Sequence, residues 1–200
     1  MAKSNQTTAR TKAKKDTVFE AASTVFAQYG YRRTTMNDIA QAAGISRPAL
    51  YLVFDNKENL FYELVTFRLN QAIDSAIVTL SKNGNLKTRF IDALLVFEKV
   101  FYEPVSSSPH GEELMDTSQS LAADVMMKGF SRLVTALASV LREAEKSGEA
   151  SFQNTPLTPK SFVELLLTAL GGVKKKAKTT AEFRKQTEQV AQIFLATVTD

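Results

Sequence analysis

Apolar residues recur at helical spacing along almost the whole chain. In segments 18–29, 60–80 and 90–101 they fall three, four, seven and eight positions apart, which is the period of one buried face of an α-helix. Alternation of apolar and polar residues, which is typical of a half-buried strand, never extends beyond a few residues. The sequence therefore predicts an all-α protein of about nine helices.

Proline, glycine and serine mark where the later helices end. Two segments rich in these residues, 104–111 and 151–159, are predicted loops. Between them the helical spacing continues over 112–146, which predicts one long helix. After the second loop, the pattern predicts two further helices over 160–172 and 180–198.

Residues 35–54 have the pattern of two short helices that cross closely. The segments 36–43 and 47–54 are joined by the triplet Gly44–Ser46, and Leu50 and Phe54 are predicted to form the buried underside. A short turn with glycine between two such helices is the helix-turn-helix arrangement, in which the second helix can lie in the major groove of DNA. A packed helical hairpin that binds nothing explains the same pattern, so the motif alone leaves both interpretations open.

The excess of positive charge lies at the start of the chain. The first 60 residues hold nine Lys and Arg against five Asp and Glu, which accounts for the whole net charge of +4. Five of these cations precede Asp16, so residues 1–14 are predicted to form a basic flexible arm. Such an arm favours a polyanionic partner, although lysine-rich tails also serve solubility alone.

Composition makes several classes of protein improbable. The chain has no Cys and a single His, His110, which excludes disulfides, thiolate-bound metals and sites built on a pair of histidines. No glycine-rich phosphate loop or nucleophile–histidine arrangement is present, so we expect neither an enzyme nor a cofactor. No apolar run approaches the ~18 residues of a membrane span, and the basic start is not followed by an apolar stretch of the signal-peptide type. We therefore expect a cytoplasmic protein.

Residues 18–60 carry a longer set of matching positions. They are Ala22, Phe26, Gly30-Tyr31, Thr34-Thr35, Asp38-Ile39-Ala40, Ala43-Gly44-Ile45-Ser46, Leu50-Tyr51, Phe54, Lys57-Glu58 and Leu60. With these residues at this spacing, the segment resembles the DNA-binding domain of the TetR family of transcriptional regulators. The rest of the chain carries no motif match, only a number and order of helices like the family's.

The resemblance implies a domain organisation and a set of DNA contacts. A three-helix helix-turn-helix domain over 15–56 would follow the arm, and 57–200 would form a helical domain for effector binding and dimerisation. The implied DNA-binding residues are Thr34, Thr35, Ser46, Arg47, Pro48, Ala49, Tyr51, Leu52 and Lys57. Most of these position the protein on phosphates, Lys57 as a cation against the DNA backbone, and base reading falls to Arg47, Pro48, Ala49 and Leu52.

This sequence departs from the family at two positions of the second short helix. Leu52 and Val53 are aliphatic where family members often have polar or aromatic residues. Few side chains are therefore available for hydrogen bonds to bases. This favours a contribution to sequence specificity from DNA shape and from the arm in the adjacent minor groove.

The resemblance also implies an effector pocket in the middle helices and a homodimer formed by the last two. The candidate pocket residues are Phe67, Phe90, Leu94, Phe97, Phe101, Met126, Met127, Phe130 and Leu133. The candidate dimer residues are Phe162, Leu166, Leu170, Val190 and Phe194. An ordinary buried core explains both sets as well. The roles of His110 and of the basic segment 174–178 are open, a solvated loop and a solvated linker being the simpler interpretations.

Taken together, these features predict a dimeric, ligand-responsive DNA-binding regulator of the repressor type. Its expected partners are a palindromic duplex operator, a second copy of the chain and a small apolar or aromatic effector, with no membrane. The alternative is a helical interaction module or small-molecule-binding protein that does not bind DNA.

The basic arm gives the first testable prediction. Deletion of residues 1–14 is expected to weaken duplex binding and to change the preferred flanking sequence, because cations in the minor groove read its width. Selection of bound duplexes from a random pool with the full and the shortened chain measures both effects. Unchanged affinity and site preference would show that the arm takes no part.

Overall fold

The computed structural model describes residues 2–199 of the chain, with the side chains of residues 14–199. Every regular element in that range is a helix, so the predicted all-α class is confirmed. In chain order these helices are α1 (Ala2–Tyr29), α2 (Met36–Ala42), α3 (Arg47–Tyr51), α4 (Lys57–Leu80), α5 (Leu86–Phe101), α6 (Glu103–Ser106), α7 (Gly111–Leu121), α8 (Ala123–Ser147), α9 (Pro159–Lys176) and α10 (Thr180–Leu195). None of them combines the length and hydropathy that a membrane span requires.

Two differences from the predicted helices lie in the middle of the chain. The predicted loop over 104–111 contains part of the short helix α6. The predicted single helix over 112–146 is divided into α7 and α8 at Ala122, whose φ of −130° and ψ of 30° leave the helical region. Each difference adds one helix to the eight segments whose bounds the sequence predicts, which gives the ten helices of the described range.

The start of the chain also differs from the prediction. Helix α1 begins at Ala2, where the sequence predicts a flexible arm over 1–14. This segment contains no Pro or Gly and is rich in Ala and Lys, so its local propensity continues the helix. The side chains of residues 1–13 lie outside the described part, so the role of this basic segment in DNA binding stays a prediction.

The chain divides into two compact units. One consists of Met1–Phe67 and Ser108–Ala123, and the other of Arg68–Ser107 and Asp124–Asp200. The first unit therefore extends past the predicted boundary between residues 56 and 57, because the beginning of α4 packs in the same core as α1.

Aromatic rings form much of the core of the first unit. The ring of Phe26 lies edge-on to that of Phe61, with 5.3 Å between centroids. Phe19 contacts Phe54 at 5.6 Å and stacks on Phe67 at 4.9 Å. Ring pairs at these separations are worth about 0.5–1.5 kcal/mol each beyond the area they bury. They tie α1 to α4 and to the segment that follows α3.

The second unit has an aliphatic core formed by the later part of α4 with α5, α8, α9 and α10. Its fully buried large side chains include Ile73, Leu86, Phe90, Leu137, Leu141, Phe162 and Leu166. Helix α8 has one wide apolar face and an exposed opposite face, as expected for a helix that packs on one side.

A glycine on α8 allows a close approach to α4. A Cβ atom at Gly129 would overlap Cδ2 of Leu69 and would lie 2.8 Å from its Cγ and 3.4 Å from Cδ1 of Ile73. Both neighbours are buried, so neither has free space to move into. In contrast, a Cβ atom at Gly171 in α9 would meet nothing within 4 Å.

These two glycines form a matched test of the packing. Gly129→Ala is expected to lower the free energy of unfolding by about 1–3 kcal/mol, because an inserted methyl group overpacks the core. Gly171→Ala is expected to raise it by up to about 1 kcal/mol through helix propensity. Urea unfolding of the two variants measures the difference. Equal stability of both variants would contradict the close approach of α8 to Leu69.

Candidate nucleic-acid interface and ligand cavity

The turn between α2 and α3 is built as the sequence predicts. Gly44 has a φ of 66°, a conformation that residues with a side chain rarely adopt. The N–H of Gly44 donates to the carbonyl of Gln41 at 3.1 Å, and the N–H of Ile45 donates to that of Ala40 at 3.0 Å. These bonds satisfy carbonyls at the end of α2 while the chain reverses.

Helix α2 is fixed at its start by a capping box. The Thr35 hydroxyl accepts from the N–H of Asp38 at 3.2 Å, and the Asp38 carboxylate accepts from the N–H of Thr35 at 2.8 Å. The same carboxylate accepts from the Thr35 hydroxyl at 2.7 Å. These hydrogen bonds hold the pKa of Asp38 below its usual value. Because its hydroxyl and N–H already serve the cap, Thr35 is less suited to the predicted phosphate contact.

The second short helix, α3, has a capped start and a buried underside. The Ser46 hydroxyl accepts from the N–H of Ala49 at 3.3 Å, and Pro48 occupies the first turn, where a missing N–H costs little. Leu50 and Phe54 are 0 % and 1 % exposed. The helix ends at Tyr51 rather than at the predicted residue 54.

The opposite face of α3 is open to solvent. Tyr51 and Leu52 are 42 % and 88 % exposed, and Arg47 and Pro48 are exposed as well. The Arg47 guanidinium lies 5.6 Å from the centroid of the Tyr51 ring, a cation–π contact that places both on one side of the helix. Of the predicted base-reading residues, only Ala49 is half-buried.

Two residues with predicted phosphate contacts use their polar atoms inside the first unit, so their contacts with DNA stay a prediction. Thr34 is 1 % exposed, and its hydroxyl donates to the carbonyl of Gly30 at 2.6 Å. The Lys57 ammonium donates to the carbonyls of Tyr31 and Thr34 at 2.9 and 3.0 Å. It also lies 4.4 Å from the centroid of the Tyr31 ring. Lys57 therefore holds the α1–α2 loop in place.

The cations that the α1–α2 loop does expose are Arg32 and Arg33. Sequence reasoning missed them, although they directly follow the Gly30-Tyr31 pair that comes after α1. The N–H of Arg32 donates to the Glu113 carboxylate at 2.8 Å, which fixes the loop backbone beneath the two side chains. Arg33 borders a groove with Asp38 and Gln41 of α2.

The second unit contains a cavity of about 130 Å³. Six of the predicted pocket residues line it, namely Leu94, Phe97, Phe101, Met126, Phe130 and Leu133. The other three do not. Phe67 stacks on Phe19 in the first unit, Phe90 is fully buried in the core, and Met127 is 71 % exposed on the outer side of α8. Helical spacing identified the right helices but did not separate residues that face the core from residues that face the cavity.

Polar residues of the cavity wall were not predicted. Glu98 is 3 % exposed, and burial raises the pKa of its carboxyl group. The Lys174 ammonium lies 3.5 Å from the centroid of the Tyr102 ring, and burial lowers the pKa of this lysine to about 8. The sequence feature that could have predicted a polar cavity wall is Glu98, an acidic residue four positions after Leu94 on an otherwise apolar helix face.

Three of the five predicted dimer residues face the interior of their own unit. Phe162 and Leu166 are 0 % exposed, and Leu170 is 8 % exposed and lines the cavity. Val190 and Phe194 are half-buried against the core. The exposed apolar residues of these two helices are Leu165 and Ile193, at 49 % and 67 %. Both helices have two apolar faces, and the prediction for α9 chose the inner one.

The structure also places His110 and the basic segment that begins at Lys174, whose roles the sequence leaves open. Nδ1 of His110 lies 3.5 Å from the Glu113 carboxylate, at the start of α7. Lys174, Lys175 and Lys176 form the last turn of α9, where cations interact favourably with the helix dipole.

The sequence of this chain is similar to those of known bacterial regulatory proteins. Residues 18–64 match the sequence model described as "Bacterial regulatory proteins, tetR family". An "Uncharacterized HTH-type transcriptional regulator YhgD" from Bacillus subtilis (strain 168) is 29% identical over 158 residues, which cover 77% of this chain and 80% of the relative. A "Probable acrEF/envCD operon repressor" from Escherichia coli (strain K12) is 46% identical over 59 residues, 28% of this chain and 27% of the relative.

Among solved structures, the repressor SmeT of the Stenotrophomonas maltophilia multidrug efflux pump SmeDEF superposes with a TM-score of 0.67 at 20% identity. The match covers 93% of this chain and 90% of that one. A complex of SmeT with triclosan superposes equally well, with a TM-score of 0.67 at 19% identity, covering 94% of this chain and 92% of that one. At this level of identity the likeness concerns the fold.

The capping box predicts a pH-dependent difference in stability. The pKa of Asp38 is lowered in the folded state, so its ionised form contributes stability above the usual value of 3.8, and this contribution is lost as the pH falls through the lower folded-state pKa. Asp38→Asn is expected to lower the free energy of unfolding by about 0.3–1 kcal/mol at neutral pH. At a pH below that folded-state pKa, the variant should match the unmodified chain.

Urea unfolding across this pH range measures the difference, with Asp116→Asn on the exposed side of α7 as the control. A penalty for Asp38→Asn that stays the same at all pH values would contradict the role of the charge in the cap.

Proposed function

Because the chain belongs to the TetR family of bacterial regulatory proteins, we propose that it is a homodimeric transcriptional repressor that leaves its operator when a small molecule binds. Such a repressor acts in the cytoplasm. Its partners are duplex DNA, a second copy of the chain and the effector. The relatives reported above are named as regulators of transcription, and none is named as an enzyme.

The observation that carries this proposal is the division of α3 into a buried and an open face. Leu50 and Phe54 fix the helix from below, while Arg47, Tyr51 and Leu52 are exposed above. A helix held in this way fits the major groove of B-DNA, which is about 12 Å wide.

The exposed residues divide into two roles. Arg47 is the residue able to pair with the O6 and N7 atoms of guanine through two hydrogen bonds, and Pro48 and Leu52 can contact a thymine methyl group. Arg32, Arg33 and Tyr51 provide contacts with phosphates, which fix the register without reading sequence. Ser46 and Ala49 support the helix, since the serine hydroxyl caps it by accepting from the alanine N–H.

Helices α9 and α10 supply the surface for the second copy. Leu165 and Ile193 are exposed, and a groove beside Ile193 is lined by Gly172, Val173, Lys176, Gln186, Gln189, Val190 and Gln192. Covering these apolar side chains is favourable at about 25 cal/mol per Å² of apolar area. A two-fold dimer presents two copies of α3 to half-sites about 34–36 Å apart.

The cavity of the second unit is the effector site in this proposal. Its lining is predominantly apolar and aromatic, with a few polar groups, as in typical ligand pockets. An effector that binds the DNA-free form more tightly lowers DNA affinity, and DNA lowers effector affinity by the same factor. The existence of a complex of SmeT with triclosan supports a small-molecule ligand for a protein of this fold.

A titration with random-sequence duplex tests the function against the alternative of a helical module that does not bind DNA. Fluorescence anisotropy at low salt is expected to show binding, and the logarithm of the affinity should fall with log salt by about 0.9 for each phosphate contact. Absence of binding at low salt would favour the alternative.

Arg47→Lys separates base reading from charge. The lysine keeps the cation but cannot form the two-pronged contact with guanine, so discrimination at that base should fall by about 1–3 kcal/mol while affinity for random duplex is nearly unchanged. Competition binding with single-base variants of a selected site measures the discrimination. Arg142→Lys, the same change on an exposed part of α8, is the control. Retained discrimination in Arg47→Lys would assign base reading to other residues.

A further inference from the structure

Within the described residues, one acidic side chain of the cavity wall has no hydrogen-bond partner. Glu98 belongs to α5, is 3 % exposed, and lines the cavity with Leu94 and Phe101 of the same helix. Neither Oε1 nor Oε2 of Glu98 accepts a hydrogen bond from any residue in the described part of the chain. Burial of a carboxylate without donors is costly, so a carboxylate at this position points to a donor from outside the chain.

Two charged groups act on Glu98 from the surrounding helices, and in the described part of the chain neither donates a hydrogen bond to it. Arg184 of α10 attracts its charge and Glu103 of α6 repels it, but burial has the largest effect and raises the pKa of Glu98. Lys174 of α9 also lines the cavity, and its ammonium lies over the ring of Tyr102 at 3.5 Å. The protein itself therefore leaves the carboxylate oxygens available.

A second side chain with an unpaired oxygen lines the same cavity. Thr187 belongs to α10 and is 2 % exposed, and its hydroxyl has no hydrogen-bond partner among the side chains and backbone that the structure describes. Helix α10 packs against α5, the helix of Glu98. Two carboxylate oxygens and one hydroxyl oxygen together offer three acceptors, and a primary ammonium group carries three N–H donors.

The remaining wall is hydrophobic and largely aromatic. Phe97, Phe101, Phe130 and Phe183 line it, and the cavity volume is about 130 Å³. An engineered apolar cavity of about 150 Å³ takes up benzene, so this space suits one aromatic ring with a short substituent. Aromatic rings also interact favourably with a neighbouring cation.

We propose that the cavity binds a small aromatic primary amine, whose ammonium group donates hydrogen bonds to Glu98 and Thr187 while its ring packs among the phenylalanines. This inference rests on the proposed function, because it names the chemical class of the effector. The cation at Lys174 is already placed over Tyr102, so Glu98 rather than Lys174 selects the charge of the ligand.

Three probe molecules of similar size and different charge test whether Glu98 selects a cationic ligand. They are 2-phenylethylamine, which is cationic at neutral pH, the uncharged propylbenzene, and the anionic 3-phenylpropionate. Isothermal titration calorimetry with the full chain is expected to give the tightest binding for the amine. Glu98→Gln should weaken amine binding by roughly tenfold to a hundredfold, the range for hydrogen bonds to a charged group, and should leave propylbenzene binding unchanged.

Matched variants separate a direct contact from a general effect of charge. Glu103→Gln also removes one negative charge beside Glu98, but Glu103 does not line the cavity, so amine affinity should change little. Thr187→Val should weaken amine binding less than Glu98→Gln does. Because it removes an unpaired buried charge, Glu98→Gln should melt at the same temperature as the unmodified chain or higher. A lower melting temperature would mean that Glu98 has a structural ion-pair role, which would overturn the proposal.

The remaining outcomes are equally decisive. Tighter binding of 3-phenylpropionate would assign selection to Lys174, and equal affinity for the three probes would show a purely hydrophobic cavity. Binding of none of the probes would also contradict the proposal. Random-duplex binding by the ligand-free chain and by Glu98→Gln is measured in parallel. If both bind DNA, failure of the probes concerns the ligand class alone, whereas loss of DNA binding by the unmodified chain contradicts the proposed function.

Discussion

A helix as short as α3 does not persist in water by itself, and the first unit is arranged around this constraint. Forming the first turn of a helix loses more free energy in conformational entropy than its hydrogen bonds gain. The five-residue helix from Arg47 to Tyr51 therefore depends on tertiary contacts. Burial of Leu50 and Phe54, the cap from Ser46 and the turn at Gly44 supply them. Because the underside, the cap and the turn hold the helix, the outer side chains of Arg47, Pro48 and Leu52 remain exposed and open to a partner.

The sequence predicted this arrangement because each part has a local cause. Helical period and a turn with glycine act within a few residues of one another, and they place the turn at Gly44. The caps at Thr35 and Ser46, which the structure shows, are equally local. The internal hydrogen bonds of Thr34 and Lys57 were not predicted, because they depend on where loop carbonyls point, which no local pattern records.

The same limit applies to the second unit. Period identified α5, α8, α9 and α10 as apolar, but a helix with two apolar faces does not reveal which one is inside. On α9, Leu166 lies in the core, whereas its neighbour Leu165 is exposed. On α5, Phe90 lies in the core, whereas Leu94, one turn later, lines the cavity. Glu98 was overlooked because a single acidic residue on an apolar helix face does not by itself indicate a binding site. In the described structure it is a buried carboxylate without a hydrogen-bond donor.

The central claim is that the open face of α3 enters the groove of duplex DNA as one of two symmetric copies. Selection of bound duplexes from a random-sequence pool, followed by sequencing, tests it most directly. The expected result is a palindrome whose half-site centres lie one helical turn, ~34–36 Å, apart. A pool with no shared sequence after repeated rounds, or a single half-site without a symmetric mate, would contradict it.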